Sequence, residues 1–263
     1  MDWHYDQGYV DVSMPDYVTD ALKRLNHVPQ VTPQYSPHAH IPIQYGTKGT
    51  RQYATAPDLS PPLSPKETTK LQSITGSFLY YGRALDNTIL PALNEIASMQ
   101  AHPTEQTKQK AQQLMDYLHT YPNAYLRYTA SDMILHVDSD AAYLVAPKAR
   151  SRVAGYFHLS DHPNITKHPK LNGAILVECK TLRHVVSSAA EAEVAGIFHN
   201  AGMAIPLRRF LEALNHAQPP TPIKTDNSTA TGFIYDNIHQ WCSKSCDMRY
   251  YWVRDRQTQQ QFK

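Results

Sequence analysis

Apolar and polar positions follow two rhythms along this chain. Residues 2–5 and 9–12 alternate side by side around Asp6-Gln7-Gly8, which predicts a hairpin. Tyr17, Val18, Ala21, Leu22 and Leu25 then fall at helical spacing, with Pro15 where a first turn tolerates it. Residues 27–63 are rich in Pro, His, Gln, Thr and Tyr with little apolar periodicity, and read as an extended linker. Helix returns at Ser64-Pro65-Lys66-Glu67, a capping box with Pro at the first helical position, and runs through Leu71, Ile74, Phe78 and Leu79. Residues 86–99 and 104–120 predict two more helices, and Tyr121-Pro122-Asn123 ends that region.

Past residue 124 the rhythm is that of strands. Residues 133–138, 152–159 and 173–179 predict three strands, and 187–215 a long helix with Pro206 starting or kinking its second half. A short strand at 222–225, a short helix at 228–235 and a last helix at 247–256 complete the order. Short strands followed by βα units predict a mixed sheet with helices on its faces.

The first of these strands poses a question. In MILHVDSDAAY (133–143) an apolar run leads straight into Asp138 and Asp140. Two carboxylates at the mouth of a core strand repel each other and resist desolvation. A basic side chain or a metal ion is expected to neutralise them.

Composition narrows the answer. With 41% apolar and 18% charged residues among 263, the chain can build a substantial core. No window approaches the roughly eighteen apolar residues of a membrane span, and the N-terminus lacks the basic and apolar regions of a secretory signal. Three cysteines, Cys179, Cys242 and Cys246, make no disulfide framework and favour a reducing compartment. A net charge of +2 does not by itself announce a polyanion binder, so any such site must be a local patch.

Carboxylates recur at strand ends and helix starts of the second region: Asp140 after the first strand, Glu191 and Glu193 early in the long helix, Asp226 after the fourth strand, and Asp247 opening the last helix. In α/β sheets, sites gather where strands end and the neighbouring helices start. Four carboxylates without Cys or His suit hard cations such as magnesium or manganese, and a pair of such ions can clamp the attacking and leaving oxygens of a phosphodiester. Singly, each has an ordinary explanation: Asp226 as an N-cap, Asp247 as a complement to the helix dipole, the two glutamates as solvated charges. Only the set, in this order on this element pattern, is specific. A zinc alternative, His239, Cys242 and Cys246, offers three ligands and no second pair at the usual spacing; His38 and His40 in the linker are weaker still.

SDAAY, SSAAEAEVAG, TDNSTA and DMRYYWVRDR, in that order, resemble the ribonuclease H domain of copia-type LTR retrotransposon polyproteins. The corresponding stretches of that family read roughly S-D-A-D-W, S-S-T-E-A-E-Y, C-D-N-Q-S-A and H-I-D-I-R-Y-H-F-I-R-E. The match covers about residues 125–260. Upstream, DQGYVDVSMPDYVTDALKRL is similar to the hairpin and first thumb helix that close a reverse transcriptase, and residues 71–123 to the connecting helices of the same family. The resemblance implies a palm-end hairpin and thumb helix at 1–26, a linker at 27–63, a helical connection at 64–124 and a ribonuclease H-like domain at 125–263, with a mixed five-stranded sheet and flanking helices.

The activity it implies is hydrolysis of the RNA strand of an RNA–DNA hybrid with two Mg²⁺ ions, or Mn²⁺. Asp140 would bridge both ions, with Asp138 as the alternative. Glu193, with Glu191 as the alternative, and Asp226 would hold one ion, and Asp247 the other. His239 is a candidate for proton transfer or product exit. Lys148, Arg150 and Arg152 are candidates for phosphate contacts, as are Lys244 and Arg249 beside the fourth carboxylate. Asn200 and Asn227 are candidates for the sugar 2′-hydroxyls. The implied partners are the hybrid and an upstream polymerase domain of the same polyprotein, with no membrane, in a cytoplasmic virus-like particle.

The chain departs from the pattern in two ways. It holds no Y-x-D-D motif, so polymerisation is not expected of it; relative to the family it starts after the palm and stops short of the usual end. Basic residues before the fourth Asp are thinned to His239-Gln240-Trp241-Cys242-Ser243-Lys244. A catalytically decayed, nucleic-acid-binding or connection-like module is therefore the alternative. An integrase or transposase core is a third reading, but it would use an Asp–Asp–Glu order, whereas here the Glu comes second.

Overall fold

The computed structural model describes residues 1–39, 58–163, 170–235 and 247–262. It is mixed α/β. Contacts divide the chain into two compact units, Met1–Trp3 with Val10–Leu126 and His4–Tyr9 with Arg127–Lys263. Strands β1 (Asp2–His4), β2 (Tyr9–Ser13) and β3 (Tyr125–Thr129) form a three-stranded sheet in that order. The turn between β1 and β2 closes on Gly8, whose φ of +67° is open to glycine at no steric cost. The sequence pattern predicted that hairpin and missed β3, although Tyr125-Leu126-Arg127-Tyr128-Thr129 carries the β-branched and aromatic residues of a strand.

The first unit is helical, with α1 (Tyr17–Arg24), α2 (Pro65–Ala84), α3 (Leu90–Ser98) and α4 (Glu105–Thr120). The Ser64 hydroxyl accepts from the Glu67 amide, and the Glu67 carboxylate accepts from the Ser64 amide at 3.1 Å, so the expected capping box is formed. The helix expected over 86–99 is divided. Asp86 accepts from the Thr88 amide, residues 87–89 form a single 3₁₀ turn, and α3 starts afresh with Pro91 in its first turn, where the missing N–H leaves no bond unmade. Val18, Leu71, Phe78, Leu93, Ile96 and Leu114 fill the interior. Residues 27–39 have no regular structure, but their start is not free. His27 lies 3.1 Å from Asp116 on α4, and the Gln34 amide donates to Thr120.

In the second unit, four strands run in the order β6 (Ala174–Thr181), β5 (Arg150–Ser160), β4 (Ile134–Ala146), β7 (Ile223–Lys224). β4–β5 and β5–β6 are antiparallel, and β4–β7 is parallel. The sheet is thus mixed, with four strands among the described residues. Alternation puts Leu135, Val137 and Phe157 on one face, against Ala201, Ala204 and Leu211 of α5 (Ala189–Ala213). Small residues on α5 let the helix lie close to the sheet. Nearer the start of α5 the same stripe continues with Val194 and Ile197, packed with Ala230 and Ile234 of α6 (Ser228–Ile234) and Val253 of α7 (Asp247–Thr258).

One expectation about this sheet is overturned. The first strand does not stop at Asp138. β4 continues to Ala146, and Asp138 and Asp140 pair with Tyr156 and Ala154 of β5 in unbroken register. Apolarity marks where a strand is buried on both faces, not where its ladder ends, and the antiparallel partner carries β4 through its polar half. What does end there is β7, which pairs only with Val137 and Asp138. Asp140 therefore lies just past the end of a short parallel neighbour.

Candidate metal centre

Asp140 on β4, Glu193 on α5 and Asp226 after β7 each present a carboxylate oxygen, and the three oxygens lie within 4.8 Å of one another. Three different elements deliver them. Asp140 is carried by the β4–β5 ladder. Asp226 follows β7 by two residues, at the edge where β4 and β7 run parallel. Glu193 reaches them from the start of α5, where the next turn is Gly196; a Cβ there would lie 3.5 Å from the Asp140 carbonyl oxygen. The helix thus rests on the strand at Asp140 itself.

Glu193 differs from its two companions in burial. Asp140 and Asp226 are exposed, whereas Glu193 is 4% exposed. One of its oxygens accepts from the Ala141 amide at 3.2 Å and the other from the Thr225 hydroxyl at 3.3 Å. Burial pushes its carboxyl up to about 7, and the neighbouring Asp140 and Asp226 push the same way against the Ala141 N–H and the Thr225 hydroxyl. A cation beside a buried carboxylate that faces two others would favour its charged form. An all-oxygen donor set of three carboxylates fits a hard divalent ion and not zinc. The group could hold a metal ion.

The neighbouring acidic residues have other partners. Glu191 turns back on its own helix start: it accepts from the Ser187 amide and hydroxyl, both at 2.7 Å, while its amide donates to Ser188, the N-cap. Asp138 stands 3.7 Å from His158, a buried imidazole stacked on His136. Burial lowers the pKa of His158, with Asp138 opposing.

The remaining sequence candidates separate. Asn227 caps α6, its side-chain oxygen accepting from the Ala230 amide at 3.0 Å. That cap leaves Asp226, the expected N-cap in the ordinary reading, free to face Glu193. Asn200, expected at the substrate, is instead fully buried between α5 and the sheet, with its amide hydrogens given to Ser139 and Ala154. No surface remains on it for a sugar hydroxyl. Lys148 sits exposed at the tip of the β4–β5 hairpin, where Lys148 and Ala149 both have positive φ (61° and 54°), as the twist of a tight hairpin requires. Arg150 begins β5 and Arg152 pairs with Ala142. Asp247 is the first residue of α7; its side chain and that of Arg249 lie outside the described residues, as do His239, Lys244, Cys242, Cys246 and His40. His38 lies in the described part of the linker, its ring 3.2 Å from the carbonyl of Ala39.

One contributor was not foreseen. Thr225 holds the second Glu193 oxygen. It had a signal, since it immediately precedes Asp226 at the end of the short strand.

A 183-residue stretch, 70% of this chain, is 24% identical to the retrovirus-related Pol polyprotein from transposon TNT 1-94 of Nicotiana tabacum. The stretch spans 13% of that protein's length. The chain is therefore similar, at a distance, to a small part of a retrotransposon Pol polyprotein. No family model matches it, and no solved structure matches it. Among the described residues, no helix is long and apolar enough to cross a membrane.

Proposed function

We propose that this chain is the ribonuclease H part of a copia-type reverse transcriptase, hydrolysing the RNA strand of RNA–DNA hybrids with two Mg²⁺ or Mn²⁺ ions. The observation that carries the reading is the convergence of Asp140, Glu193 and Asp226 from a strand, a helix start and a parallel strand end. Its order, Asp–Glu–Asp, is that of the resemblance and not of an Asp–Asp–Glu nuclease. The distant similarity to a Pol polyprotein supports the same source.

In this reading Asp140, Glu193 and Asp226 hold the ions, with Asp247 at the start of α7 as the fourth ligand. When bound, the ions supply activation of a water nucleophile and charge neutralisation at the scissile phosphate. The protein's share is orientation. The Ala141 N–H and Thr225 hydroxyl fix both oxygens of Glu193, and the β4–β5 ladder fixes Asp140. Lys148 and Arg150 offer cations to the phosphates of the hybrid from the hairpin; Lys244, Arg249 and Asn227 are further contacts, and His239 assists proton transfer or product exit. Residues 1–26, 27–63 and 64–124 serve as palm-end hairpin with thumb helix, linker and connection beside an upstream polymerase, in a cytoplasmic particle, and 125–263 form the ribonuclease H-like domain.

The test is incubation of the full chain with an end-labelled RNA–DNA hybrid in Mg²⁺ or Mn²⁺, with duplex DNA and duplex RNA as controls. The reading expects metal-dependent cutting of the RNA strand of the hybrid alone. Binding of the hybrid without cutting, by folded protein at any divalent ion concentration, would leave a nucleic-acid-binding module and overturn the enzyme.

A further inference from the structure

Asn200 combines complete burial with a precise set of partners. It is 0% exposed. Its side-chain nitrogen donates to the Ser139 hydroxyl at 2.9 Å and to the Ala154 carbonyl at 2.8 Å. A carbonyl can only accept, so the nitrogen must face this way. Ser139 is the residue before Asp140, and Ala154 is the residue paired with Asp140 across the β4–β5 ladder. Both hydrogen bonds therefore land on immediate neighbours of one metal-site carboxylate.

The other end of the same helix face grips the other side. Glu193 lies seven residues before Asn200, about two helical turns, and so on the same face of α5. It accepts from the amide of Ala141, the residue after Asp140. Between them, Gly196 lies over the Asp140 backbone. Helix α5 thus holds the strand on both sides of Asp140, from a residue that belongs to the candidate metal centre and from one that does not.

Space for Asn200 is made by a missing side chain. A Cβ on Gly155 would lie 2.3 Å from the Asn200 side-chain oxygen and 2.7 Å from its Cγ. No residue but glycine fits β5 at that point while Asn200 keeps its place. Among the described residues, the side-chain oxygen itself is buried without a hydrogen-bond donor. A buried acceptor left unpaired is costly, and a half-satisfied amide is a poor choice where only a filled core is needed. What the amide adds is a fixed distance between helix and strand.

We propose that Asn200, seated in the notch left by Gly155, is a positioning residue that sets the separation of Asp140 and Glu193 for metal binding. The proposal rests on the metal centre of the preceding reading and adds to it a residue outside the ligand set. Pre-organised ligands depend on such supporting contacts.

Three variants of the full chain test it: Asn200→Ala, Gly155→Ala, and the double variant, in which the new methyl at 155 occupies space vacated by the amide. Melting temperature without metal, Mn²⁺ affinity by calorimetry, and hybrid cleavage are measured on each. The double variant is expected to regain most of the melting temperature lost by either single one. Its Mn²⁺ affinity is expected to stay about 10- to 100-fold below wild type, the range for loss of a contact that orients a ligand, with cleavage reduced alongside. Recovery of affinity and cleavage together with melting temperature would make Asn200 a space-filler and overturn the proposal. So would failure of both Asn200→Ala and the double variant to fold, which would assign the residue to stability alone. If wild type binds no Mn²⁺, or Asp226→Asn binds it as well as wild type, the metal centre itself is wrong, and the proposal falls with it.

Discussion

Asp226→Asn is expected to lower RNA-strand cleavage by more than the roughly 10- to 100-fold that loss of an outer-shell partner costs. The substitution keeps size and shape and removes one anionic ligand. Little else should change. Asp226 is exposed, and the cap of α6 belongs to Asn227, whose bond to Ala230 is untouched. Melting temperature without metal should therefore match wild type or exceed it, since one source of repulsion on Glu193 is gone. The same chemistry separates neighbours in sequence. Asp138→Asn alters a residue beside His158 and outside the carboxylate group, and should leave cleavage near wild type. Glu191→Gln alters a contact to Ser187 at the start of α5 and should show a small loss of stability with activity retained. Steady-state cleavage of a labelled hybrid by the three variants checks all of this. Equal loss in Asp138→Asn and Asp226→Asn would contradict the assignment.

The second large effect is on stability against pH. In the metal-free protein Glu193 keeps its proton up to about 7, against an ordinary value of 4.5. Between these values the folded chain binds more protons than the unfolded one, so stability falls as pH rises. The contribution is complete below about pH 4.5 and lost as pH passes 7. At about 1.4 kcal/mol per pKa unit the span is on the order of 3 kcal/mol. Glu193→Gln should flatten that slope, and at pH 8 without metal it should be more stable than wild type. Adding Mg²⁺ or Mn²⁺ should stabilise wild type most above pH 7, where no proton competes for the carboxylate, and should do little for Glu193→Gln. Denaturant melts at pH 5 and pH 8, with chelator and with metal, read both arms. A slope of the opposite sign would mean that Glu193 is charged and satisfied without a cation.

Much of this was legible in the residues, for physical reasons that differ by element. Ser64-Pro65-Lys66-Glu67 announced a helix start because capping is local chemistry, settled within four residues. Glu191 and Glu193 looked alike in sequence because both lie in the first turns of one helix. They diverge only in three dimensions: Glu191 faces back to Ser187, and Glu193 faces the strand two residues of rotation away. Asp226 and Asn227 could each have capped α6. Which one did so depended on the direction in which β7 ends, a fact of pairing that no local pattern carries. The length of β4 was misread because its second half is polar, and only its partner β5 shows that the ladder continues. From sequence Asn200 is a candidate for the sugar 2′-hydroxyls; its burial goes with the notch at Gly155, which is distant in sequence and gives no sign of what will fill it.

The central claim is a divalent metal centre on these three carboxylates. Its most direct measurement is anomalous scattering from crystals of the full chain grown or soaked with Mn²⁺. The account predicts Mn²⁺ density among Asp140, Glu193 and Asp226, absent from Asp226→Asn crystals treated alike. Ordered, well-occupied crystals with no Mn²⁺ at that place, or with Mn²⁺ bound only elsewhere, would contradict it.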